Sequence, residues 1–301
     1  MRSSTAVPAG VLRTQPVPTW ALCILFSVIG TAAGLLLLLF AMSFKVSAAP
    51  FHFWTPDAYD GSPTVFTSFM ATIVKVAGFI AFIRLFEGCF GDVKSQWQLL
   101  VAIITAATLF IGNITAVFQQ SVKRMLSYSS IAQAGFMLFA LVAMNDMARE
   151  GMIFYAAAYS LATIGIFAVL LKMKDYTFEG FNGLAKRQPV LAATNTIFLL
   201  SLAGIPATAG FWAKFYMLSA AISNGNVMWL VIVGVLCAAI SVYYYFRVIQ
   251  AMYFKEGEAE SQEIETSRSF KGLLIVIAAV VVLLGIFPEW LLHQLTSFFY
   301  L

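Results

Sequence analysis

Three lysines, Lys45, Lys75 and Lys214, interrupt stretches that otherwise read as membrane-spanning helices. An ammonium at the centre of such a helix costs roughly 2.5–3.5 kcal/mol on insertion scales, so each must face a protein interior or a wetted cavity. Lys75, within Met70–Ile80, stands too deep in its stretch for its stem to snorkel to either surface. Withdrawal from water disfavours the charged form of an amine, and a neighbouring acid opposes that effect. A lysine beside a movable neighbour can therefore gain and lose protons, and proton relay is the chemistry these residues point to. A structural ion pair is the competing use of Lys75, and snorkelling is the competing reading of Lys45. His52, in Phe51-His52-Phe53-Trp54, can either shuttle protons near neutral pH or pack as a hydrogen-bonded ring.

The elements that position these lysines are themselves interrupted. The apolar run ending at Phe44-Lys45 meets Pro50, and a second run is broken in Ala203-Gly204-Ile205-Pro206, upstream of Gly210-Phe211-Trp212-Ala213-Lys214. Proline removes a backbone donor and clashes with the preceding turn, so both helices are expected to kink or unwind. Irregular backbone survives at membrane depth only where protein or a water-filled cavity covers it, and paired broken helices in transporters mark ion sites. Asp57 and Asp60 read as loop or cap residues at the end of the first broken segment.

The chain has 301 residues, 61% hydrophobic and 11% charged, which is far below the charge of a soluble domain. The expected fold is all-α, a polytopic bundle of eight spans near 20–44, 64–86, 97–118, 126–144, 152–171, 189–221, 227–254 and 271–292. Residues 1–19 read as a disordered leader and 20–301 as one membrane domain. Alternating the loops between two sides gathers Lys123, Arg124, Lys172, Lys174, Lys186, Arg187, Lys255, Arg268 and Lys271 on one of them. The bias of basic residues puts that side in the cytoplasm and both termini outside. Trp20, Trp97, Trp229 and Trp290 then fall at outer span ends, as an interfacial belt. The net charge of +4 reflects this loop distribution and not nucleic-acid binding. Glu256, Glu258, Glu260, Glu263 and Glu265 read as a solvated loop.

Cys23, Cys89 and Cys237 are scattered, which argues for buried, inert thiols and against a metal site or disulfide framework. There is no GxGxxG between a strand and a helix, no cysteine set for an iron–sulfur cluster and no intramembrane histidine pair for haem. Electrons are not expected to pass through this chain, and no cofactor or metal is expected in it.

The stretch Phe44–Thr64, FKVSAAPFHFWTPDAYDGSPT, resembles the seventh-helix signature of the antiporter-like subunits of respiratory complex I. Its FHFWTPD and YDGSP runs make it most similar to the N-type subunit, the bacterial counterpart of mitochondrial subunit 2. Lys123–Gly135 (KRMLSYSSIAQAG), Ser201–Pro206 and Gly210–Tyr216 extend the resemblance, which covers about residues 30 to 292. It implies a proton-translocating membrane-arm subunit of NADH:quinone oxidoreductase in a bacterial inner membrane, partnered by other complex I membrane subunits and the lipid bilayer. Lys45 matches the family's seventh-helix lysine, Lys75 the eighth-helix lysine, and Lys214 the lysine of the second broken helix. Quinone, FMN and iron–sulfur clusters would belong to partner subunits. Counted against the family, the chain begins at the seventh helix, without the first six helices and their fifth-helix glutamate.

Two other readings share these features. A subunit of a multisubunit cation/proton antiporter would use the same fold and lysines without quinone. A structural membrane-arm subunit would occupy its place without pumping.

Overall fold

A computed structural model describes residues 19–223, 227–256 and 266–292, with backbone alone for 19–27. The expected leader before Thr19 lies outside the described residues, as do Glu258, Glu260, Glu263 and Glu265 and the side chains of Trp20 and Cys23. The chain divides into two compact units, residues 1–40 and 41–301. The first is described as the body of helix α1, Thr19–Val46, whose apolar sequence carries no charged residue before Lys45.

The second unit is a helical bundle. The short α2 (Trp54–Gly61) and α3 (Thr64–Phe69) lead through a π-helical turn, Met70–Val74, into α4 (Lys75–Phe90). Next come α5 (Lys94–Val117), α6 (Val122–Ala143), α7 (Asp146–Leu170) and the short α8 (Leu184–Arg187). The broken pair α9 (Pro189–Ala203) and α10 (Ala209–Ile222) precedes α11 (Met228–Phe254) and α12 (Arg268–Ile286). Among the described residues there is no strand, only one isolated bridge between Ser121 and Thr177.

Six apolar helical stretches among the described residues are long enough to cross a membrane. One of them, Thr64–Val117, passes through the tight turn Gly91–Val93 and covers two expected spans, while α9 and α10 together cover another. Each of the eight expected spans therefore has a helical counterpart, and the chain is a multi-pass membrane protein. Helices suit this environment because they satisfy their own backbone groups away from water.

The bundle is built around α6, whose span is 94% buried against 28% for α12. Close contact with α5 depends on two glycines. A Cβ on Gly112 would stand 2.6 Å from the Ala132 nitrogen, and one on Gly135 would stand 2.8 Å from Leu109 Cγ.

Both broken helices stop in the same way. The Ala48 amide donates to the Ser43 carbonyl (2.8 Å) and the Ser47 amide to the Phe44 carbonyl (3.2 Å), with Ser47 left-handed at φ 67°. At the second break Ile205 donates to Leu200 (3.0 Å) and Gly204 to Ser201 (3.0 Å), with Gly204 at φ 83°. These are Schellman closures, in which a left-handed residue turns the chain out and the last carbonyls are satisfied. The helices thus end before the prolines. Both spans are interrupted at the expected places, with Pro50 and Pro206 following the stops and keeping the helix from resuming.

The loops gather at two ends. At one, the Val122 amide donates to the Tyr176 carbonyl (2.7 Å), Gly183 to Ala251 (3.2 Å), and Lys186 lies 3.8 Å from Glu256. At the other, Lys94 Nζ donates to the Ala143 carbonyl (2.6 Å), Asn145 Nδ2 to Ser223 Oγ (2.8 Å), and Arg149 pairs with Glu87 and Asp146. The basic residues assigned to one side therefore meet at one end.

Two surface expectations are corrected. Trp97 is buried, donating from Nε1 to the Phe90 carbonyl (3.0 Å) and packing edge-on against Phe86 (5.1 Å), so it is core and not belt. Trp229 and Trp290 are exposed as expected. Cys89, in the last turn of α4, faces away from the bundle and is exposed, whereas Cys237 is buried.

Candidate functional site

The π-helical turn Met70–Val74 places one extra residue in the turn just before Lys75 and so re-aims the start of α4. Lys75 points inward and is 2% exposed. Its Nζ donates to the Ser130 carbonyl (2.8 Å) and to Ser130 Oγ (2.5 Å), and stands 5.9 Å from the centre of the Tyr59 ring. Tyr159 donates to the same Ser130 hydroxyl (3.1 Å). Ser130 is thus the junction between Lys75 on α4 and Tyr159 on α7.

Lys214 is 6% exposed. Its Nζ reaches back across the break to the carbonyl of Ala203 (2.8 Å), the last residue of α9, with Ser241 Oγ at 3.5 Å and the Phe136 ring at 4.8 Å. A cation there meets the negative end of the α9 dipole and an otherwise unfilled acceptor. Two glycines make the approach possible. A Cβ on Gly204 would lie 2.9 Å from Lys214 Cδ, and one on Gly210 would lie 1.7 Å from the Ser201 carbonyl oxygen.

Between the two lysines lies a buried polar network. Gln133 Nε2 donates to the Leu202 carbonyl (3.0 Å) and to Tyr245 Oη (3.2 Å), and Gln133 Oε1 accepts from Tyr155. Ser129 bonds Tyr245 (2.5 Å), and Tyr244 donates to Asn113 Oδ1 (3.1 Å). Two small voids of about 10 Å³ each flank this network, at the size of a single water. One is lined by Ser129, Ser130, Tyr159 and Thr163, the other by Gln133, Tyr155, Tyr159 and Lys214. Tyr159 and Leu202 belong to both. Hydroxyls, an amide and water-sized space therefore run from Lys75 to Lys214. Among the described residues no carboxylate lies within ion-pair distance of either.

The other expected residues lie outside this network. Lys45 is exposed at the end of α1, its Cγ lying 3.6 Å from where a Cβ on Gly78 would stand, one turn beyond Lys75. Pro50 is exposed, and His52 is half-buried in the turn after it, its carbonyl accepting from the Thr55 amide (3.0 Å). Asp57 and Asp60 face Arg124 at 2.8 and 3.7 Å, as helix-end residues should.

The chain's residue-by-residue reading overlooked Ser130, Gln133, Tyr155 and Tyr159. Ser129, Ser130 and Gln133 share one side of an apolar span, and Tyr155 and Tyr159 are spaced i, i+4, so the signal was present. It also overlooked Lys123, assigned to a loop but 3% exposed, whose Nζ donates to the carbonyls of Asp60 (2.8 Å) and Ser62 (2.7 Å).

Residues 18–241 match the family described as NADH:quinone oxidoreductase/Mrp antiporter, TM. A NADH-quinone oxidoreductase subunit N of Desulforamulus reducens is 42% identical over 85% of this chain and 54% of its own length. The chain thus spans about half the length of the curated relatives it matches. A chain of respiratory complex I from Thermus thermophilus with bound aureothin superposes with a TM-score of 0.74 and 32% identity, over 84% of this chain and 56% of that one. A chain of the Mrp complex from Dietzia sp. DQ12-45-1b shares the fold, with a TM-score of 0.75 at 20% identity over 88% of this chain and 57% of that one. With a family match across most of its length, and Lys75 and Lys214 buried in a shared polar interior, this chain belongs to the NADH:quinone oxidoreductase/Mrp antiporter membrane family.

Proposed function

We propose that the chain serves as an N-type membrane-arm subunit of a proton-pumping NADH:quinone oxidoreductase, relaying protons in a bacterial inner membrane. The reading rests on one observation, the continuous set of polar groups and water-sized voids between Lys75 and Lys214. A proton leaving the Lys75 ammonium passes to the Ser130 hydroxyl, and the step is completed when Tyr159, which donates to Ser130 at rest, swings its hydrogen toward the second void and takes the Ser130 proton on its oxygen. The second void then leads from Tyr159 to Lys214. Each hydroxyl accepts one proton and gives up another, so the groups between the lysines end the transfer neutral. Lys45, with its stem against the Gly78 turn, is the third relay position at the exposed edge, and His52 is an optional shuttle beside it. The chain works without a redox centre of its own; quinone, flavin and iron–sulfur chemistry belongs to partner subunits of the same complex. The end where Lys123, Lys172, Lys186 and Lys271 gather is cytoplasmic in this proposal, and both termini are outside.

The test is to replace Lys75 or Lys214 by methionine in the assembled enzyme and measure NADH-driven proton uptake and quinone reductase rate together. Loss of proton uptake by tenfold or more is expected. Wild-type values of both would overturn the relay. Sodium-dependent transport in vesicles lacking redox partners would instead assign the chain to an antiporter.

A further inference from the structure

A recess between α9 and α12 takes no part in the lysine network. Val190, Ala193 and Ile197 on α9 face Ile275, Ala279 and Val282 on α12 across an open volume of about 560 Å³. Alanines on both helices leave this space. The size falls within the range of small-molecule sites, but the lining is apolar throughout. Even the Thr194 hydroxyl is spent on the Val190 carbonyl (2.8 Å) of its own helix.

The two helices run in the same direction. A Cβ on Gly285, near the end of α12, would stand 2.4 Å from Thr208 Cα in the break that follows α9, and Trp212 Nε1 donates to the Gly285 carbonyl (2.8 Å). Their N-termini therefore share one end of the bundle. The 19 residues of α12 span about 28 Å, close to the thickness of the hydrocarbon core, so its first turn sits at headgroup level.

That end is basic. Arg268 and Lys271 occupy the first turn of α12, which holds no acidic residue. Lys186 and Arg187 close α8 just ahead of α9, and Lys172 Nζ lies 5.2 Å from the Phe270 ring. Glu256 is engaged by Lys186, and Asp175 accepts from the Thr177 hydroxyl (2.7 Å). Among the described residues neither Arg268 nor Lys271 has an ion-pair partner. Cations in a first helical turn oppose the macrodipole, so the positive potential there calls for an anion.

An apolar recess below a basic rim in which, among the described residues, Arg268 and Lys271 have no ion-pair partner fits one ligand chemistry. We propose that this face binds an anionic diacyl phospholipid, with an acyl chain between α9 and α12 and the phosphate at Arg268 and Lys271. The site is independent of proton transfer and is read out on lipid alone.

The complex containing the chain is purified in detergent, stripped of lipid and exposed to vesicles of phosphatidylglycerol or phosphatidylcholine, and retained phospholipid is counted by mass spectrometry. Phosphatidylglycerol is expected to be retained in preference. Combining Arg268→Gln with Lys271→Gln should weaken its retention roughly thirty-fold, on the scale of a basic residue at an anionic surface. Ala279→Trp, which fills the recess, should abolish it while the double variant, outside the packed core, remains as a folded control. Equal retention of the two lipids, or retention unchanged in both variants, would overturn the proposal. So would a cross-link from Ala279→Cys to a neighbouring subunit, since a protein helix would then occupy the recess.

Discussion

Ser130 gives Lys75 two of its contacts, one from the backbone and one from the hydroxyl, and only the second can be removed by mutation. Ser130→Ala should leave the lysine half-satisfied and the Tyr159 hydroxyl without its acceptor. Hydrogen bonds to charged groups contribute about 1.5–3 kcal/mol, so a loss of that order is expected in a thermal-melting comparison, together with slower proton uptake. Lys214→Arg should differ from Lys214→Met. Arginine can still donate to the Ala203 carbonyl but does not deprotonate in proteins, so assembly should be retained while proton uptake is lost. Equal uptake in Lys214→Arg and the unmodified enzyme would show that position 214 only holds the break. At this scale Lys75 and Lys214 were legible, because a charge inside an apolar run has few places to go. Lys123 was not. A lysine at a helix start ordinarily reads as a loop residue, and only the fold-back of the α2 end onto it makes it interior.

At the scale of elements, both interruptions were legible from proline, but their mechanism was not. Ser47 carries the left-handed conformation at the first stop, and a serine gives no such signal in sequence. Its hydroxyl accepts from Thr55 (2.7 Å), which ties the start of α2 to the end of α1. The second stop uses glycine, and here the geometry allows a firm prediction. Gly204→Ala meets both the left-handed penalty of about 1–2 kcal/mol and a contact with the Lys214 stem, so it should displace the ammonium from Ala203. Gly210→Ala should be worse, because its methyl would overlap the Ser201 carbonyl oxygen. The check is the yield of assembled complex, with Gly210→Ala expected to lose most of it and Gly204→Ala part of it. The π-helical turn before Lys75 had no counterpart in the pattern of apolar residues, since one extra residue per turn barely shifts a short stretch.

For the whole molecule, composition and span count carried the fold class, and the loop charges correctly grouped the ends. The weaker inferences were those about surfaces. Trp97 is apolar in bulk and sits at a helix start, yet the bundle covers it; Cys89 lies in an apolar helix, yet the bundle leaves it outside. A labelling experiment in sealed, oriented vesicles tests the arrangement. With Cys89 replaced by serine, an impermeant maleimide should modify Lys174→Cys from the cytoplasmic side and Asp92→Cys from the opposite side. Modification of both from one side would overturn the proposed orientation.

The reach of Lys214 across the break turns a charge into a fastener. While that side chain is protonated, it clips the second half of the split rod to the first. When it gives up its proton, the clip keeps only the weaker pull of a neutral amine. The stiffness of the joint between residues 203 and 209 should then follow occupancy of a single hydrogen ion, so a chemical event becomes a mechanical one without any lever beyond the polypeptide itself.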